Sequence, residues 1–195
     1  CNIGGETISE ASVDRINRIA DYRWITPEGK EAAFLTDNEA GNLKIGRGTL
    51  SVREREIINN HVSVTIKMLE ALPYPRHLKR VPEYAGGHHE KMDGSGYPNK
   101  LKRKDMSIPA RMLAIADVFE ALTAKDRPYK KAMTLSQSLS ILGRMKEENH
   151  VDPDLFDVFM WEKVYLKYAN DHLNPAQIDE VDLDSIPGYV PPAAG

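Results

Sequence analysis

The sequence predicts an all-α protein: a compact helical bundle followed by an extended C-terminal tail. Three observations carry that expectation. Apolar residues recur at spacings of three and four in several segments. No convincing run of period-two alternation interrupts them. The closing stretch NPAQIDEVDLDSIPGYVPPAAG is acidic and Pro-rich with few apolar anchors, so residues 171–195 read as an extended or mobile tail.

The elements follow in order. SEASVDRINRIADYRW places Val13, Ile16, Ile19 and Ala20 on one helical face, with Ser9 and Ser12 as candidate caps. The next stretch, ITPEGKEAAFLTDNEAGNLKIGRGTL, is rich in Gly, Thr and Asn and reads as loop with short helical turns at most. SVREREIINNHVSVTIKMLEAL reads as one helix. Ser51 and Glu54 form a capping box, Ile58, Val62, Ile66 and Leu69 form a stripe, and Pro73 and Pro75 end it. His61 falls on or at the edge of that stripe. RHLKRVPEYAGGHHEKM predicts a short helix carrying His88 and His89, and DGSGYPNKLKRKDM a loop shaped by Gly94 and Gly96 and fixed at its exit by Pro98.

SIPARMLAIADVFEALTA predicts a helix with Pro109 in its first turn and Ser107 as candidate cap. Its expected apolar face is Met112, Ile115, Ala116, Phe119 and Leu122, with Asp117 among them. TLSQSLSILGRMKEEN and DPDLFDVFMWEKVYLKYA are two more amphipathic segments. The expected organisation is an N-terminal helix and loop over 1–47, a helical core over 48–170 and the tail.

Composition bounds the function. The chain has 195 residues, 41% hydrophobic and 28% charged, which is a globular balance. A net charge of -3 supplies no global field to draw in DNA or an anionic membrane. No apolar run approaches the roughly 20 residues that cross a bilayer. One cysteine allows no internal disulfide, fits a reducing cytoplasm, and argues against a Cys-rich zinc site. The chain opens on Cys1. An acylated mature terminus, a processed protein and an excerpt of a longer chain are the readings, and the excerpt is the expected one.

The chemistry concentrates in GGHHEKMDGSGYP. Adjacent imidazoles point about 100° apart on a helix, so they serve one ion awkwardly or two naturally. A polar surface doublet is the plain alternative. His61 taken alone reads first as a satisfied core histidine. Asp117 needs a partner if enclosed, because desolvating a carboxylate costs several kcal/mol. That partner is a metal ion or, alternatively, Arg111 or Lys125. Taken together, His61, His88, His89 and Asp117 form a nitrogen-rich set suited to iron, manganese or zinc rather than calcium or magnesium. Arg127, Lys130 and Lys131 in AKDRPYKKA would meet an anionic phosphodiester. Tyr97 reads either as a ring that stacks on a base or as packing beneath the loop.

HHEKMDGSGYP followed by IPARMLAIADVFEALTAKDRPYKKA closely resembles the HD-GYP domains of bacterial signalling proteins, from about Gly48 to Ala132. The resemblance implies a helical bundle holding two or three divalent ions, iron or manganese first and zinc also admissible. It implies hydrolysis of cyclic di-GMP or a related cyclic dinucleotide. By resemblance His61, His88, His89 and Asp117 match metal ligands, and Arg127 and Lys130 match phosphate-holding positions. Gly96, Tyr97 and Pro98 match the signature loop, linked to substrate and to partner signalling domains; a homodimer stays open.

One departure matters. No His-Asp dipeptide occurs in the chain. Counting back from His61 by the family's usual interval lands on Ala32 and Ala33, which bind no metal. Either the pair lies upstream, making 1–47 part of an insertion, or it has degenerated. The first makes the parent protein a metal-dependent phosphodiesterase and this chain weakly active or inactive. The second makes a non-catalytic cyclic-dinucleotide receptor or protein-interaction module. A different HD-type phosphohydrolase is a third reading, disfavoured by the Gly-Tyr-Pro loop.

Overall fold

The computed structural model describes residues 8–46, 50–124 and 133–192. It is mostly helical, as expected, and divides into two compact units, Cys1–Asn59 and Asn60–Gly195.

In the first unit, α1 spans Glu10–Ala20 and is capped by Ser9, whose side chain accepts from the Ser12 N–H. Val13, Ile16, Ile19 and Ala20 are its half-buried residues. The segment expected as loop holds more structure than its composition suggests. Strands β1 (Arg23–Ile25) and β2 (Glu31–Ala33) pair antiparallel, with Trp24 opposite Ala32. Their turn is closed by Gly29 N–H donating to Thr26 O at 2.8 Å, with Pro27 second in the turn and Gly29 at φ 76°. Helix α2 (Asp37–Leu43) follows. Its capping box has Glu39 N–H donating to Thr36 Oγ1 and Thr36 N–H donating to Glu39 Oε2. Helix α3 (Val52–Asn59) completes the unit, and Ser51 and Glu54 form the expected capping box.

The single helix expected over 51–72 is therefore two, α3 and α4 (His61–Glu70), separated at Asn60. Two successive asparagines weaken the helix there, because their amides compete for backbone groups. Ile58 is 48% exposed, so the buried stripe starts only at Val62.

The second unit is a chain of packed neighbours. α4 packs on α5 (Val81–Gly86), α5 on α6 (Ile108–Thr123), α6 on α7 (Leu135–Glu147), and α7 on α8 (Pro153–Trp161). α8 then packs on both α6 and α9 (Val164–His172). The last two replace one expected helix, broken where Lys163 adopts a left-handed backbone (φ 49°). The core gathers Ile115, Phe119, Leu135, Leu139, Leu142, Phe156 and Met160.

Two expectations about buried faces are corrected. On α6 the buried residues are Ala110, Ala114, Ile115, Phe119 and Thr123, while Met112 is 55% exposed. Small residues win because α5 comes too close for a long side chain: a methyl group on Gly87 would lie 2.8 Å from Ala110 Cβ. The C-terminal tail is extended but docked rather than loose. Ile186 enters the core, and Ile178, Val181, Leu183 and Tyr189 pack against it. Gln177 is buried, its amide donating to Thr123 O (3.0 Å) and Met133 O (3.1 Å) and so linking the end of α6 to the approach to α7.

One polar hub ties these parts together. Asp152 is fully buried and caps α8 by accepting from the Asp154 and Leu155 N–H groups. It also accepts from Arg103 Nε at 2.8 Å and from Arg111 Nη1. Burial alone would raise the Asp152 carboxyl, but hydrogen bonds from Arg103, Arg111 and the Leu155 amide outweigh it and hold it below the ordinary range.

Candidate metal centre

Three imidazoles from separate parts of the second unit meet. His61 opens α4, behind the buried anchor Val62. His88 and His89 sit in the turn that follows α5, not within the helix as expected. The paired glycines place them. A methyl group on Gly86 would lie 2.8 Å from Ile66 Cδ1 of α4, as one on Gly87 would from Ala110 of α6. The end of α5 is thus wedged between the helix bearing His61 and the helix bearing Asp117.

One nitrogen from each of His61, His88 and His89 lies within 4.8 Å of the other two. The His88 and His89 rings are 4.1 Å apart, and the His61 ring stands edge-on to His89 at 5.2 Å. Nitrogens bound to one ion at about 2.1 Å sit roughly 3–3.5 Å apart, so about an ångström of side-chain adjustment closes the set around a cation. His88 Nδ1 donates to Ala85 O at 2.5 Å, which leaves Nε2 with its lone pair for a ligand role. Burial, then the neighbouring His88, pushes the His89 imidazole below its ordinary pKa, against an opposing pull from Asp117; His61 adds to the lowering. The neutral form so favoured is the one that binds metal.

Asp117 is half-buried rather than enclosed, and it is not a member of the 4.8 Å group. Its charge still reaches the site, acting on His89 and on Tyr97. The alternative ion pair with Arg111 is not formed, since Arg111 is committed to Asp152. Lys125, Arg127, Lys130 and Lys131 lie outside the described residues.

Tyr97 packs against the histidine cluster. Its ring stacks on His89 at 4.9 Å and 25°, and its N–H donates to His89 O at 3.2 Å. Burial, then Asp117, raises the phenol pKa. The loop's glycines do different jobs. Gly94 has φ 86°, whereas Gly96 is needed for closeness: an added Cβ would stand 2.5 Å from Glu90 Cα. Pro98 follows Tyr97 through a cis peptide bond.

Glu90 directly follows the histidine doublet. It is 1% exposed, and its two oxygens accept from the Asn99 N–H (2.7 Å) and the Leu101 N–H (2.9 Å). An acid directly after a histidine doublet was the available signal, but partners that are loop amides leave no mark on side-chain periodicity.

The chain is similar to known proteins. A family model described as an HD domain matches residues 37–155. The 3'3'-cGAMP-specific phosphodiesterase 3 of Vibrio cholerae is 34% identical over 145 residues, 70% of this chain and 29% of that protein. The 3'3'-cGAMP-specific phosphodiesterase 1 of the same organism is 44% identical over 80 residues, 41% of this chain and 18% of that protein. A cyclic di-GMP phosphodiesterase of Thermotoga maritima is 31% identical over 113 residues, 58% of this chain and 30% of that protein. The chain thus spans less than a third of the length of each of these relatives. No helix among the described residues is long and apolar enough to cross a membrane.

Proposed function

The chain belongs to the HD-domain family, and from that premise we propose that its second unit is the histidine-rich part of a metal-dependent cyclic-dinucleotide phosphodiesterase, acting on cyclic di-GMP or 3'3'-cGAMP. The observation that carries the reading is the convergence of His61, His88 and His89 from α4 and the turn after α5. Relatives named for these two substrates support it.

A bound divalent ion, iron or manganese in this reading, would supply Lewis acidity toward a phosphoryl oxygen and an activated water. The chain's own residues do the rest. The three imidazoles hold the centre, and Asp117 contributes a negative charge that acts on His89. Tyr97, stacked on His89, lines the approach that a nucleotide base or sugar would take. Arg127 and Lys130 in AKDRPYKKA are assigned to the substrate phosphates by sequence pattern. None of the proposed ligands comes from the first unit.

One observation keeps a second reading in view: the chain contains no His-Asp pair. The positions expected for it, Ala32 and Ala33, form part of β2 in the first unit. A receptor would bind cyclic dinucleotide without metal and release it unchanged. The deciding experiment measures hydrolysis of cyclic di-GMP and 3'3'-cGAMP by the parent protein with Mn²⁺ or Fe²⁺, for the wild type and for His89→Ala. Metal-dependent turnover lost in the variant supports the enzyme. Equal turnover by both refutes the histidine centre, and metal-independent binding with no turnover establishes the receptor.

A further inference from the structure

We propose that Glu90 is a positioning residue: it clamps the Gly96–Leu101 segment beneath the histidine cluster and thereby sets the orientation of His89. This rests on reading the three imidazoles as a cation site. Standing next to two histidines, Glu90 invites assignment as a further metal ligand. The geometry assigns it elsewhere. Its carboxylate is 1% exposed, and each oxygen receives a different backbone N–H, from Asn99 at 2.7 Å and from Leu101 at 2.9 Å. Amide-to-carboxylate hydrogen bonds are charge-assisted, about twice as strong as neutral ones, and a buried carboxylate stripped of them is costly.

The clamp connects to the site by a short path. Segment Gly96–Leu101 folds back until Gly96 leaves no room for a Cβ against Glu90 Cα. The next residue, Tyr97, returns its N–H to His89 O at 3.2 Å and stacks its ring on the His89 imidazole at 4.9 Å. Glu90 holds one side of that fold and Tyr97 applies the other side to His89. Ligand orientation by groups that do not touch the ion is a general requirement of metal sites, and losing such a group typically weakens metal affinity by about 10- to 100-fold.

The test uses the full chain with Co²⁺ as the metal probe, comparing wild type, Glu90→Gln and Glu90→Ala. Glu90→Gln keeps size and one acceptor oxygen; it replaces the second acceptor with a donor that an N–H cannot use. The inference expects the Asn99 and Leu101 amides to exchange with solvent on the order of tenfold faster in Glu90→Gln. It also expects a changed Co²⁺ ligand-field spectrum and about tenfold weaker Co²⁺ binding, while helix content stays at the wild-type level. Glu90→Ala should exceed it in all three, and if that variant fails to fold, the glutamine variant alone decides. Tyr97→Ala should reproduce the spectral change with the Glu90 hydrogen bonds retained.

Unchanged amide exchange overturns the clamp. Faster exchange with an identical spectrum and affinity overturns the positioning role and leaves a loop anchor. Lost Co²⁺ binding with unchanged exchange overturns it too, by making Glu90 a ligand. A wild type that binds no Co²⁺ refutes the cation site itself, and the positioning role with it, while the amide data still report whether the clamp exists.

Discussion

Removing the Asp152 carboxylate should be among the most damaging single changes in the second unit. The side chain is fully buried and receives hydrogen bonds from two arginines and two α8 amides. Asp152→Ala deletes the helix cap, worth about 1 kcal/mol in isolation. It also leaves Arg111, only 16% exposed, without its counter-ion. Breaking a buried pair from one side costs about 3–5 kcal/mol. The two losses share a group and do not simply add, so the expected destabilisation is about 4 kcal/mol. At roughly 2–4 °C per kcal/mol for a chain this long, the melting midpoint should fall by about 10 °C. Asp152→Asn keeps one oxygen for the cap and should fall less. The pH dependence has a definite sign. A carboxyl held below its ordinary value in the folded state stabilises above its unfolded pKa of about 3.9 and loses that contribution as pH falls through the folded value. The gap between wild type and Asp152→Asn should therefore be full at neutral pH and narrow below about pH 4. Scanning calorimetry at several pH values measures this. A midpoint for Asp152→Ala within about 2 °C of wild type at pH 7 would refute the reasoning.

Other changes report on other parts. Gly96→Ala drives a Cβ against Glu90 Cα and the Lys91 backbone nitrogen, neither of which can swing aside. It should cost about 1–3 kcal/mol and speed tryptic cleavage at Lys100 and Lys102, and wild-type cleavage rates would count against the close approach. Gly143→Ala places a methyl group on the Pro187 carbonyl and should lift the tail from α7. Trp161, whose Nε1 donates to Val190 O at 2.7 Å, should then shift its emission to the red, read in a Trp24→Phe background; an unshifted spectrum refutes the docking. Mn²⁺ at about 100 times its dissociation constant should add about 2.7 kcal/mol of stability. EDTA should reverse the effect and His61→Ala should abolish it. Elemental analysis of the isolated, metal-loaded chain should find one ion per chain, and two would refute a one-ion site.

Much of this was legible, for identifiable reasons. Val13, Ile16, Ile19 and Ala20 share a face in the sequence and are the half-buried face of α1. Ser51 and Glu54 announced a cap and formed it. His61, His88 and His89 stood out because imidazoles are scarce and chemically specific. What stayed hidden depended on contacts between distant positions. Ala110 is buried and Met112 exposed because of where α5 ends, which helical periodicity within α6 cannot express. The three-residue strands of the hairpin are too short to show alternation. Glu90 is held by loop amides and Asp152, beyond its local role as the α8 cap, by arginines elsewhere in the chain, so neither long-range pairing carries a local signature.

Those two acids decide how many cations the described residues can support. Three neutral imidazoles add no charge, and Asp117 adds one negative. One divalent ion leaves the centre at about +1, which suits an anionic diester. A second at about 3.5 Å would meet a repulsion near 19 kcal/mol at an effective dielectric of about 20, far more than the half-buried Asp117 can offset. A bridging carboxylate is the usual remedy, but the buried candidates are spent. Both oxygens of Glu90 are engaged by loop amides, and those of Asp152 by two arginines and two α8 amides. On this charge balance we propose that the described residues hold one ion and lack the acid that a second would need. Whether the parent protein supplies that acid is the physical difference between a phosphodiesterase and a receptor built on the same histidines.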